Sequence, residues 1–472
     1  MAPACARFLF PVVLLILAAV FSAASDGEGM ECGAAALQEF KRALLDVDGR
    51  LSSWGTGADP CGLRGVLSAA VCALPHLAVL NVSKNALSGH IPAGLAACRA
   101  LEVLDLSTNA LHGAVPPELC ALPVLRRLFL AENRLSGEIP AAIGNLTALE
   151  ELVIHDNYLT GTIPTSIRSL QRLRAIRSGY NDLTGSIPVE LADCASLEML
   201  ELAANNISGT LPRELCRLKN LTVLILLRNA LSGEVPPELG KLHQPPDARS
   251  VRQRVHRWSP QGAWGAAVAR EPAELTGDEL GRLPALRLLN LYKNHLQGRI
   301  PPELGNLHSL LEMVLAENNL TGVIPAELGR IPALWRLNLF KNRLQGNIPP
   351  ELGQLRFIRN FDLSHNNLRG MVPLWVQNLS RLEFLYLGGN KLHGTVPTSL
   401  GTNGSSLLGL SLYGNQLTGT IPPNLCNNKK LCILNLASNN LVGDIPSGVM
   451  GCTTLQHLYL ESNMLTGSLL GQ

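Results

Sequence analysis

Hydrophobic positions recur along this chain with a fixed phase. The pattern L-x-x-L-x-L-x-x-N-x-L places its Asn at residues 85, 109, 133, 157, 181, 205 and 229, each 24 apart. After a break it places Asn at 294, 318, 342, 366, 390, 415, 439 and 463, with a single spacing of 25. Seven and then eight copies make fifteen repeats, a period that only a repeat architecture sustains. In L-x-L the two leucines point to one side of a short strand, because side chains alternate with period two. The spacing therefore predicts strands stacked in parallel, with leucines filling the interior of each coil. The recurrent Asn is expected to turn its amide inward and pair backbone groups at the bend. The Gly and Ile-Pro that follow permit a tight return. A single repeat cannot bury its own leucines, so stability depends on neighbouring coils.

Several of these residues carry a resemblance. The stretches 135–140 (L-S-G-E-I-P) and 159–164 (L-T-G-T-I-P) resemble the second strand of the plant-specific leucine-rich repeat. Ala36 to Lys41, Leu51 to Trp54 and Asp59-Pro60-Cys61 resemble the N-terminal cap of plant leucine-rich-repeat receptor-like serine/threonine kinases. The resemblance covers about residues 31 to 470 apart from the break, and implies an α/β solenoid. The expected form is a plant-type right-handed superhelix with short parallel strands on its concave face. It implies an extracellular, ligand-recognising ectodomain, with a secreted peptide and a short leucine-rich-repeat co-receptor kinase as partners.

The expected organisation follows. Arg7 precedes an apolar run, Phe8 to Phe21, and then Ser22-Ala23-Ala24, so residues 1–24 read as a signal peptide. Residues 25–66 form a shortened cap, 67–243 the first block of repeats, 244–274 an irregular insertion, and 275–472 a second block without a C-terminal cap. No later stretch is apolar for the about 18 residues a membrane span needs. The expected location is secreted, or the outer side of the plasma membrane if a full-length receptor exists.

The pattern departs from the family in three places. Cys61 is not followed by the family's C-x-W-x-G-V-x-C, and it is left either to pair with Cys32 or to stay free. Cys72, Cys120, Cys216 and Cys426 stand 13 before their Asn, and Cys98, Cys194 and Cys452 stand 11 before theirs. These seven are read as small buried hydrophobes rather than bridge partners. In the insertion, Arg249, Arg252, Arg254 and Arg257 fall where leucines are needed, and register returns through Leu275-Thr276-Gly277. The segment reads either as a ligand-sensing island or as an unstructured loop or gene-model artefact. The third departure is the end of the chain, where a repeat starts at Asn463 and stops at Gln472.

Composition narrows the chemistry. A formal charge of +2, with 39 basic against 37 acidic side chains, argues against nucleic acid as a partner. The Gly-rich loop, strand Lys and catalytic-loop motifs of a kinase are absent, as are H-E-x-x-H, G-x-S-x-G and a P-loop. Glu303, Glu327 and Glu351 recur at the repeat period in P-x-E-L-G, which marks them as solvated scaffold. His155, His365 and His457 stand too far apart in the repeat order for a metal site. No catalytic residue, metal or cofactor is expected, and the chain reads as non-enzymatic.

What remains is the exposed side of the strands. Positions −6, −4, −2 and −1 from each Asn project from it. Tyr180, Tyr292, Tyr386, Tyr413 and Tyr459 lie there, five of the six tyrosines, joined by Phe129, Phe340 and Phe384. Tyrosine is favoured in recognition surfaces. Arg177, Arg228, Lys293, Arg336 and Lys341 share the face. Tyr292 to Tyr459 spans about 34 Å at roughly 4.8 Å per strand, the length of an extended peptide of about ten residues. The expected binding set is Arg177, Tyr180, Tyr292, Lys293, Arg336, Phe340, Lys341, Tyr386 and Tyr413, with rings for apolar side chains and cations for a carboxylate. Residues 177–180 (R-S-G-Y) resemble the R-x-G-G motif by which some receptors of the family grip peptides, with Tyr180 in place of the second Gly. Glycosylation sequons stand at Asn81, Asn145, Asn206, Asn220, Asn319, Asn378 and Asn403, and only Asn81 falls in the four exposed columns. The rival reading is a soluble inhibitor or decoy, or a non-functional truncated product.

Overall fold

Leucine at the centre of a three-residue strand decides how each coil folds. In Arg336–Asn338 the central Leu337 is fully buried while its neighbours stay half-exposed, and the same holds in Val103–Asp105 and Ile433–Asn435. The computed structural model describes residues 64–242, 286–402 and 404–467. The signal segment, nearly all of the cap with Cys32 and Cys61, the insertion at 244–274 and the register return at 275–277 lie outside the described residues.

Two compact units divide the chain: residues 1–218 with 228–230, and residues 219–227 with 231–472. In the first, six short strands from Val79–Asn81 to Met199–Glu201 run parallel, in a register that pairs residues 24 apart. The L-x-G stretches form a second, five-stranded parallel sheet from Arg64–Val66 to Tyr158–Thr160. Among the described residues the second unit contributes nine parallel strands of this kind, from Val223–Ile225 to His457–Tyr459, with three short two-stranded parallel sheets beside them. Each unit is a plant-type leucine-rich-repeat solenoid whose leucines are buried inside the stacked coils.

Short 3-10 helices close the coils on the side away from the strands. Pro301 or its equivalent stands at the N-cap, where a missing N–H costs nothing. In the second unit the P-x-E-L-G helices Pro237–Lys241, Pro302–Asn306, Ala326–Arg330 and Pro350–Gln354 stack one on the next. Their glycines are required by contact. A Cβ on Gly305 would lie 2.3 Å from the Glu327 carbonyl oxygen, and one on Gly329 would lie 2.2 Å from that of Glu351.

The repeat Asn is buried and fully engaged. Asn318 donates through Nδ2 to the carbonyls of Leu315 (3.0 Å) and Ala316 (3.2 Å) in its own coil and of Leu291 (3.0 Å) in the coil before. Its Oδ1 accepts from the Leu296 N–H at 3.1 Å. Asn133 repeats the arrangement in the first unit, with Leu130, Ala131, Leu106 and Leu111. The amide thus ties each bend to its predecessor, as the spacing predicts. The residue just before each Asn is left-handed whatever its identity, with φ between 51° and 57° at the non-glycine positions, Lys84 to Ser462. Only at Gly389 and Gly414 does glycine take this conformation without strain.

The cysteines correct the sequence reading. Cys72 is bridged to Cys98 and Cys426 to Cys452, each pair 26 residues apart with Cα atoms 4.6 and 5.8 Å apart. Register explains both pairs. A residue 13 before one Asn faces the residue 11 before the next, and only these two pairs place cysteine at both positions. Cys120 and Cys194 do lie buried, and burial pushes their thiols up to about 11 and about 12.

The break in the repeat is spanned directly. Val223–Ile225 pairs with Leu288–Asn290, and helix Pro237–Lys241 packs on Pro302–Asn306. Elsewhere the Asn bonds to preceding coils span 22 and 27 residues, or 23 and 28 at Asn415 after the one 25-residue repeat; here Asn294 accepts from the Leu231 N–H across 63 and donates to the Leu226 carbonyl across 68. The surplus is 41 residues in both bonds, and consecutive coils meet across it. Among the described residues no helix is long and apolar enough to cross a membrane.

Candidate functional site

The fold presents the strand face of each unit as a lattice of side chains. Columns are set by register, and neighbouring columns by the alternation along each strand. In the first unit Arg177 ends the strand Ala175–Arg177, and Tyr180 follows at the left-handed bend with φ 53°. Between them Ser178 occupies the buried position held by Ile154 and Leu202 in the adjacent coils, and its hydroxyl is buried without a hydrogen-bond partner. Gly179 lies beneath the Glu201 carboxylate, whose oxygen would stand 2.2 Å from a Cβ there. Glu201 Oε1 accepts from the Ala203 N–H at 3.2 Å. Burial pushes the Glu201 carboxyl up, opposed by that bond and by the charges of Arg177 and His155. The glycine that this stretch shares with R-x-G-G is therefore covered by a neighbouring acid.

The second unit carries the other seven expected residues. Their coils, from Tyr292 to Tyr413, are five steps apart, about 24 Å at roughly 4.8 Å per strand. Carboxylates that were not among the expected site residues link several of them. Glu317 accepts from the Tyr292 hydroxyl at 3.0 Å and pairs with Lys341 at 3.5 Å, so one acid joins three successive coils. Glu312 pairs with Arg336 at 3.5 Å. Burial pushes the Glu312 carboxyl up and Arg336 draws it down. Two of the three cations expected here to receive a carboxylate are thus already matched to acids. Lys293 stands exposed at a left-handed bend.

The aromatic residues gather around His365, a ring the sequence reading weighed only as a metal ligand. His365 meets Phe340 edge-on, with centroids 5.2 Å apart, and meets Tyr413 at 5.7 Å. The Tyr413 hydroxyl and His365 Nε2 share a hydrogen bond. Phe384 and Tyr386 lie side by side at 5.9 Å, over Gly409 of the next coil. Asp362 sits among them, with Oδ1 accepting from the Ser364 N–H at 3.0 Å and from the Ser364 hydroxyl. Burial pushes the Asp362 carboxyl up, and burial and then Asp362 raise the phenols of Tyr386 and Tyr413. Glu312, Glu317, Asp362 and His365 occupy the same four columns as the expected residues. Counting back from each Asn would have found them; weighing only rings and cations did not.

The sequons lie mostly off this lattice. Asn145, Asn206, Asn319 and Asn378 are exposed at helix ends or beyond the bend, Asn220 is half-exposed, and Asn403 lies outside the described residues. Asn81 is exposed on the strand face. Among the described residues no group of three or more His, Cys, Asp or Glu is placed to hold a metal ion.

Comparison with known proteins accords with this geometry. The sequence model described as leucine rich repeat N-terminal domain matches residues 34–67. Leucine rich repeat models match residues 147–207 and a further seven stretches between 100 and 428. No curated protein matches the chain. Among solved structures, the ectodomain of the plant membrane receptor kinase GASSHO1/SCHENGEN3 from Arabidopsis thaliana, in complex with CASPARIAN STRIP INTEGRITY FACTOR 2, is 33% identical with a TM-score of 0.68. That match covers 86% of this chain and 46% of the other. The plant peptide hormone receptor RGFR1 in complex with RGF2 is 28% identical, with a TM-score of 0.69 and coverage of 85% and 65%. The ectodomain of the Arabidopsis receptor kinase HAESA, bound to an N-terminally extended IDA peptide hormone, is 28% identical, with a TM-score of 0.65 and coverage of 84% and 64%. The chain spans less than two thirds of the length of each. Its repeats, its Asn ladder and these matches agree: the chain belongs to the leucine-rich-repeat family.

Proposed function

We propose that this chain is the ligand-recognition part of a plant receptor-like kinase ectodomain, acting outside the cell and binding a secreted peptide along the strand face of its second unit. It carries no catalysis of its own in this reading, and a short leucine-rich-repeat co-receptor kinase is the further partner. The observation that supports it best is the set of rings and charges on one strand face, from Tyr292 to Tyr413, in a fold whose solved neighbours include receptors bound to peptides. Rings over a flat sheet supply apolar contact at small entropic cost, and the flanking ion pairs supply orientation. The test is selection from a displayed library of extended peptides, followed by titration of the selected peptide against the purified chain. Replacing Tyr292, Phe340 and Tyr386 together with Ala should weaken binding at least about a hundredfold. Undiminished affinity in that variant would move the ligand off this face.

A further inference from the structure

The charges on the strand face of the second unit do not all cancel. Arg336 is taken by Glu312, and Lys341 by Glu317. Asp362 is different. It is a half-buried carboxylate that, among the described residues, forms no ion pair within 4.0 Å and has only Ser364 as a hydrogen-bond donor. Arg336 and His365 lie near enough to feel its charge, but Arg336 is already held by an acid of its own. A carboxylate taken partly out of water and left without a cation is a costly arrangement unless something supplies one.

What surrounds Asp362 suits a cation. Tyr386 is its partner on the adjacent strand, and Phe384 lies beside Tyr386. Tyr413 reaches over Gly388 towards His365, and Phe340 stands against that histidine. Ring faces carry negative charge density and attract guanidinium and ammonium groups, whereas an anion would meet both the rings and the acid. Asp362 itself stays half-exposed beside these rings, so a cation can reach its carboxylate. We propose that the strand-face surface around Asp362 is a subsite for a cationic group of the ligand, a guanidinium or an ammonium, held beside the tyrosine rings and against the carboxylate. This reverses the expected charge of the ligand at this coil. It rests on the strand face being the ligand surface.

The test uses two capped tripeptides, N-acetyl-Gly-Arg-Gly-amide and its citrulline counterpart, which is the same shape without the charge. Saturation-transfer NMR against the full chain should show the arginine peptide binding about tenfold more tightly than the citrulline peptide. Asp362→Asn keeps an Oδ1 acceptor for Ser364 and removes the charge. It should bring the arginine peptide down to the citrulline level and leave the citrulline peptide unchanged, with the same unfolding midpoint as the parent. Tyr413→Phe should retain the preference, because the ring face remains. Equal binding of the two peptides, binding of neither, or a preference that survives Asp362→Asn would overturn the subsite. A clear arginine preference alongside a failed library selection would instead retain the subsite and sink the peptide reading.

Discussion

Tyr413 crosses the coil between and places its hydroxyl on the ring of His365, 48 residues earlier. The crossing depends on Gly388, because a Cβ there would stand 2.3 Å from the Tyr413 ring. Gly388→Ala should therefore displace the phenol and break its contact with His365, while the coil keeps its fold. The expected outcome is loss of peptide binding close to that of Tyr413→Ala, with stability changed by less than about 1 kcal/mol. Titration and thermal unfolding of the two variants side by side would decide it.

The Asn ladder makes a stronger claim on stability. Asn318→Ala would strand three carbonyls and one N–H in a buried bend, at a cost of about 3 kcal/mol. Asn319→Ala, one residue on and exposed, should cost less than about 0.5 kcal/mol. Urea unfolding that gave equal losses for the two would show that the ladder is dispensable.

The spacing of the two bridges can be used to build a third. Arg168 stands 13 before Asn181 and Cys194 stands 11 before Asn205, and Cys194 Sγ already lies 3.2 Å from the carbonyl of Ile167. Arg168→Cys should therefore oxidise with Cys194 and add about 3 kcal/mol of stability from a closed loop of 26 residues. Peptide mapping would identify the linked fragments. Two free thiols at these positions after refolding in air would refute the register rule.

Buried acids give the first unit a pH dependence of definite sign. Burial raises the folded-state carboxyls of Glu201, Glu198 and Glu151 above their ordinary values, so the folded chain binds more protons than the unfolded one just above the ordinary carboxylate range. Their favourable contribution is complete below that range and is lost as pH rises through the raised folded values. Stability should thus fall on going from mildly acidic to neutral solution. Glu201→Gln should flatten that slope, measured as unfolding midpoint against pH.

Much of this molecule was legible because its period is short. Leu337, Asn318 and Gly305 each repeat a rule visible within one coil, and local pattern is what a single sequence displays. The bridges Cys72–Cys98 and Cys426–Cys452 were not legible in the same way. They depend on two different phases, 13 and 11, facing each other across adjacent coils, and the phases look unrelated when each is read down its own column. The binding face fell between these cases. Its columns could be counted, but Tyr413 lying over Gly388 and Glu317 joining Tyr292 to Lys341 come from side chains that leave their own coil. Ser178 stands where the pattern asks for leucine, which the reading of residues 177–180 as a motif did not take up, and among the described residues its buried hydroxyl has no partner.

The direct pairing of Val223–Ile225 with Leu288–Asn290 also sets one closure apart from the rest. Every other step in the second unit brings together residues about 24 apart, whereas this one must close 65 from Val223 to Leu288. In the unfolded chain the longer closure costs only about 0.9 kcal/mol more, because loop entropy grows with the logarithm of length. The effect on rate is larger in kind than in size, since local contacts form before distant ones. Coils on the C-terminal side of this seam can zip from neighbour to neighbour, whereas joining the strand Val223–Ile225 to them requires this one longer closure.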